Sequence, residues 1–71
     1  MLTELLDMIR AHAKVKEKSL GVFYLKGRAW LHFHEDPLGI FADIRPDETW
    51  VRLRMFDEHD RNQLISMIRD T

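Results

Sequence analysis

Apolar and polar residues alternate most regularly between Arg28 and Ile44, in the run RAWLHFHEDPLGIFADI. A period of two marks a half-buried strand, and the acids and proline in the middle favour a turn. The pattern predicts two antiparallel strands joined by a loop of Glu35, Asp36, Pro37 and Leu38. With that loop Phe33 faces Ile40, Leu31 faces Ala42 and Ala29 faces Ile44, all apolar. A slip of one residue would mix Trp30, His32 and His34 into that face. One side of the pair is therefore expected to be core, and the other to carry Trp30, His32, His34, Phe41 and Asp43.

Before this pair, Leu2, Leu5, Leu6, Ile9 and Ala13 repeat at helical spacing and predict a helix over residues 2 to 18. Thr3 is its expected N-cap, with Glu4 and Asp7 near the start and Lys14, Lys16 and Lys18 near the end. Residues 20 to 26, LGVFYLK, read as a strand, and Lys26-Gly27 as a two-residue hairpin loop. That loop sets Tyr24, Val22 and Leu20 against Ala29, Leu31 and Phe33 on the core face, and Phe23 against Trp30 on the other. After Ile44, Arg45-Pro46-Asp47-Glu48 signals a turn. A further strand follows from Trp50 to about Met55, with Val51, Leu53 and Met55 inward and Asp43 opposite Arg52. Asp57 caps a closing helix over residues 58 to 69, striped by Leu64, Ile65 and Ile68 with Met67 beside them.

The assembled expectation is a single α+β domain over residues 1 to 71. Its order is α-β-β-β-β-α, a four-stranded antiparallel meander with both helices on one face in two layers. Nothing then remains to cover the second face of the sheet, and a contiguous exposed apolar patch marks an interface or binding site.

Composition narrows the function classes. Acids and bases nearly cancel, with a formal net charge of −1, which removes a broad electrostatic drive toward nucleic acid or anionic membrane. There is no cysteine, hence no disulfide framework or thiolate chemistry. No apolar run reaches the ~20 residues of a membrane-spanning helix. The opening MLTELLDMIR, with Glu4 and Asp7, does not read as a signal peptide, so a cytoplasmic location is expected. A 71-residue chain has a marginal core, and oligomerisation is a common remedy.

The strand pair GRAWLHFHED and LGIFADIR, with the closing FDEHDRNQLISMIRD, resembles a minimal member of the YjbR/MmcQ-like group of small bacterial α/β proteins. The resemblance spans about residues 2 to 70; longer members continue further. It implies the fold, brings no catalytic residues to carry over, and lowers the expectation of an enzyme.

Three chemistries are open to the second sheet face. His32 and His34 lie two residues apart, about 6.5 to 7 Å along a strand, and could share a divalent ion with Glu35 or Asp36. A structural zinc site wants four ligands and a catalytic one three, and the remainder are not evident. The same histidines with Glu35, Asp36 or Asp43 could form an acid–base pair, but no serine or threonine sits at a nucleophile elbow. Phe23, Trp30, Phe41 and Trp50 among Arg52, Arg54 and Lys26 could stack bases. Glu35, Asp36, Asp43, Asp47 and Glu48 nearby oppose that, so nucleic acid is disfavoured. The leading expectation is a non-catalytic interaction module without cofactor, working through Phe23, Trp30, His32, Phe41, Trp50, Arg52 and Arg54. Its simplest partner is a second copy in a two-fold homodimer, with another protein as the alternative.

Overall fold

The computed structural model describes residues 2–12 and 14–70, with Leu2 and Thr3 in backbone only. Helix α1 (Leu2–Arg10) is followed by five strands and a second helix. The strands are β1 (Val15–Ser19), β2 (Val22–Leu25), β3 (Arg28–Asp36), β4 (Gly39–Ile44) and β5 (Val51–Arg54), and α2 spans Glu58–Arg69. All five strands pair antiparallel, in the order of the sequence. The architecture is α+β, with one strand more than the sequence pattern predicts.

The extra strand comes out of the expected first helix, which stops at Arg10 instead of running to Lys18. At 100° per residue Val15 would sit about 220° round from Leu2, off the apolar stripe. The run Val15-Lys16-Glu17-Lys18 instead has a strand's alternation: Val15 is buried while Lys16 and Lys18 are exposed. Leu5 and Ile9 carry the α1 stripe into the core. The cap expected of the Thr3 side chain and the stripe positions Leu2 and Ala13 lie outside the described side chains.

The Lys26-Gly27 loop forms as expected, with φ of 54° and 79°, the pair of positive values a type I′ turn requires. Two residues on, the ladder breaks step. Tyr24 pairs with Ala29, but Phe23 pairs with Leu31, leaving Trp30 as the extra residue of a β-bulge. A bulge sends two successive side chains to the same side, so Trp30 and Leu31 are both buried, at 3% and 0% exposure. Phe23, opposite Leu31, is buried with them at 1%. The outward placement of Phe23 and Trp30 is thereby corrected, as is the inward placement of Leu20, which is 85% exposed. Val22 pairs with His32, and neither is fully buried.

Between β3 and β4 the loop is two residues, Pro37 and Leu38, not four. The Asp36 carboxylate accepts a hydrogen bond from the Leu38 N–H at 3.0 Å and closes the turn. The register moves by two, so Phe33 faces Ala42 and Leu31 faces Ile44. A shift of two preserves the faces, and the alternation in the sequence remains correct. The β4–β5 register, with Ile44 on Val51 and Asp43 on Arg52, is the expected one. Leu53 and Met55 point inward as expected, while Val51 is 37% exposed on the edge strand. At α2, Asp57 accepts the Asp60 N–H at 2.9 Å and the Asp60 carboxylate accepts the Phe56 N–H at 3.0 Å. Leu5 and Ile9 of α1 join Leu64 and Ile68 of α2 in one cluster with Phe23, Leu31, Ala42 and Ile44.

Candidate functional site

One ladder row crosses the whole sheet: Ser19, Val22, His32, Asp43 and Arg52, one residue from each strand. Alternation makes the side chains of such a row share a face. On the β3–β5 part of that face the row meets its neighbours at Asp43, which is 9% exposed. Arg52 donates from Nε to Oδ1 at 2.9 Å and from Nη2 to Oδ2 at 3.2 Å, a two-pronged grip. His32 Nε2 and His34 Nε2 approach the same Oδ2 at 3.5 and 3.4 Å. The hydrogen bond from Arg52 outweighs the opposing effect of burial and holds the Asp43 carboxyl below the usual carboxylate range. The same pairing raises the Arg52 guanidinium above its ordinary value.

Around this carboxylate lies a continuous line of rings. Trp50 meets His32 edge-on at 5.4 Å between centroids, and His32 lies 5.9 Å from His34. His34 stacks on Phe41 at 5.9 Å, and Phe41 meets Phe56 edge-on at 5.5 Å. An arginine closes each end, Arg45 over Trp50 at 5.2 Å and Arg54 over Phe56 at 5.5 Å. Trp50 and Phe56 remain 41% and 46% exposed. Gly39 makes room at one end: a Cβ there would stand 2.8 Å from Phe56 Cε1.

Five of the seven residues expected on this surface are therefore together: His32, Phe41, Trp50, Arg52 and Arg54. Phe23 and Trp30 are core residues, and Trp30 reaches the His12 ring at 6.4 Å. His34, which the alternation also puts on this face, is there as expected, and Phe56 and Arg45 join it. The alternation Arg52, Arg54, Phe56 already marks Phe56 in the sequence; Arg45 sits in what reads as a turn and carries no such signal.

As metal ligands, His32 and His34 both direct Nε2 at a carboxylate that Arg52 already holds. Among the described residues no group of three His, Cys, Asp or Glu side chains is arranged to hold a metal ion. A carboxylate kept ionised by a bidentate arginine is also a weak proton acceptor, which suits Asp43 to structure more than to base catalysis. Among the described residues no helix is long and apolar enough to cross a membrane. Comparison with family models, curated proteins and solved structures finds no match to the chain.

Proposed function

We propose that this chain is a non-catalytic interaction module whose working surface is the β3–β5 outer face, and that its first partner is a second copy of itself. The observation that carries the reading is the arginine-capped line of rings from Trp50 to Phe56, with both ends open to solvent. Trp, Phe and Arg are the residues that interface cores favour. The exposed Asp36 lies near Arg52 on the same face, so a two-fold copy can set this acid against an arginine of its partner. A chain of 71 residues gains the stability its small core lacks. Kinship with the YjbR/MmcQ-like proteins belongs to this proposal and rests on the order of elements, the strand pair GRAWLHFHED and LGIFADIR, and the closing FDEHDRNQLISMIRD, over about residues 2 to 70.

Light scattering across a dilution series tests it, on the wild type and Trp50→Glu. The wild type is expected at twice the 8.5 kDa chain mass and the variant at the chain mass, with the same far-ultraviolet circular dichroism. A wild type that is monomeric at every concentration overturns the proposal, as does a variant that stays dimeric.

A further inference from the structure

The far corner of the same sheet, on β1 and β2, brings four lysines together without an acidic partner among the described residues. Lys14, Lys16, Lys18 and Lys26 line one cleft with Tyr24 and Gly27. All four lysines are exposed, and Lys18 Nζ sits 4.8 Å over the Tyr24 ring. Among the described residues none of the four has an acidic partner and no acid lines the cleft. The nearest acid in sequence, Glu17 on β1, is held by Arg10, and the chain's other acids lie on α1, on β3 and β4, in the β4–β5 loop and on or beside α2. Lys26 also borders the next cleft, where Arg28 and Arg45 stand beside the buried Trp30; Asp47 is the one acid there, and Glu48 is 3.7 Å from Arg28. Lysines on an edge strand do guard against pairing with another sheet. That role does not account for Lys26, which belongs to the β2–β3 hairpin.

We propose that this corner binds the phosphate backbone of a single-stranded nucleic acid. The strand would run along β1 from Lys18 past Lys16 and the neighbouring Tyr24 to Lys14 and Lys26, and on toward Arg28. Successive cations along an extended chain stand about 6.5 to 7 Å apart at alternate residues, a spacing that follows an extended phosphate chain. The tyrosine ring offers a sequence-tolerant surface for a base or sugar. A duplex fits less well, because a β-ribbon that reads a major groove must enter it, and here Val15 and Phe23 on the back of β1 and β2 belong to the same buried core as α1. An acidic peptide added as a sixth strand would lie along β1 and leave Lys26 unused. The site lies outside the ring line, so it stands or falls independently of the dimer.

Fluorescence anisotropy with labelled oligothymidine, read over a salt series, tests the site in wild type, Lys14→Gln/Lys16→Gln and Trp50→Glu. Four phosphate contacts give a slope of about −2.8 in log K against log salt, and removal of two lysines lowers it to about −1.4. Trp50→Glu is expected to bind as the wild type does, whatever its assembly state. Absence of binding at low salt, an unchanged slope in the lysine variant, or equal affinity for a duplex or polyglutamate would each overturn the proposal.

Discussion

Arg52 on β5 holds Asp43 on β4 through both guanidinium prongs, at 2.9 and 3.2 Å, directly across the ladder. The pair fixes the register of the edge strand and anchors the carboxylate that both His32 and His34 face. Asp43 is held below the ordinary carboxylate value by this hydrogen bond, against the opposing effect of its burial. A depressed carboxylate stabilises the folded state above the unfolded value of about 3.9, and that contribution disappears as pH falls through the folded value. Stability is therefore expected to drop below about pH 4. Asp43→Asn should be less stable than wild type at pH 6 and lose less on acidification. Thermal midpoints between pH 2 and 6 read this out, and parallel curves for the two proteins would remove Asp43 from the acid response.

The bulge at Trp30 makes an opposite prediction for two neighbours. In an unbroken ladder Tyr24 is a core residue and Phe23 an outer one; with Trp30 inserted, Phe23 is 1% exposed and Tyr24 sits under Lys18. Phe23→Ala is expected to cost about 3–5 kcal/mol, the range for a buried aromatic, enough to unfold much of a marginal 71-residue chain. Tyr24→Ala should cost under about 1.5 kcal/mol. Urea denaturation orders the two, and the reverse order would mean the ladder is unbroken.

That bulge also shows where the sequence stops being legible. Both turns adjoining β3 are marked in local residues, Lys26-Gly27 as it forms and Glu35 to Leu38 as a loop two residues too long, and the faces of β3 from Leu31 on, β4 and β5 follow from period-two alternation, Val51 at the edge excepted. A bulge has no such local mark: Ala29, Trp30 and Leu31 are all apolar, so either count of residues gives an acceptable core face. With the bulge, Trp30 and Phe23 both enter the buried cluster that Leu5 and Ile9 of α1 join, a tertiary fact that no local pattern announces. Strand β1 fails for another reason. Lys16, Glu17 and Lys18 suit a helix end as well as an edge strand, and only the position of Val15 off the helical stripe separates the two. Within the candidate site, Asp43, Arg52, Trp50 and Phe41 are legible from register, whereas Arg45 comes into the site only through the path of the β4–β5 loop.

Gly39 links the turn to the ring line. Its φ of +141° is one L side chains rarely adopt, and a Cβ would meet Phe56 Cε1 at 2.8 Å and Cδ1 at 3.2 Å. Gly39→Ala is expected to destabilise by about 1–3 kcal/mol, from backbone strain and displacement of the Phe56 ring. The ring shift should appear in the aromatic NMR resonances of Phe56 and Phe41, which are 5.5 Å apart, and fade toward Trp50. Unperturbed Phe56 resonances would show that the aromatic line does not depend on this glycine.

Glu17 ties β1 to the end of α1 and to the β1–β2 turn. Its carboxylate accepts Arg10 Nε at 2.7 Å and Nη2 at 3.0 Å, and the Gly21 N–H at 2.9 Å in the β1–β2 turn. One side chain thus joins the end of α1, the edge strand and the turn that returns to β2. Arg10 first, and the Gly21 amide second, hold the Glu17 carboxyl below its ordinary value. Glu17→Gln removes the charge that both donors favour while keeping the shape. Hydrogen exchange should then accelerate at the β1 amides and at Gly21 while the β3–β4 amides keep their protection, because an edge strand can open locally without the core. Faster exchange spread evenly over all five strands would instead show that β1 opens only with global unfolding.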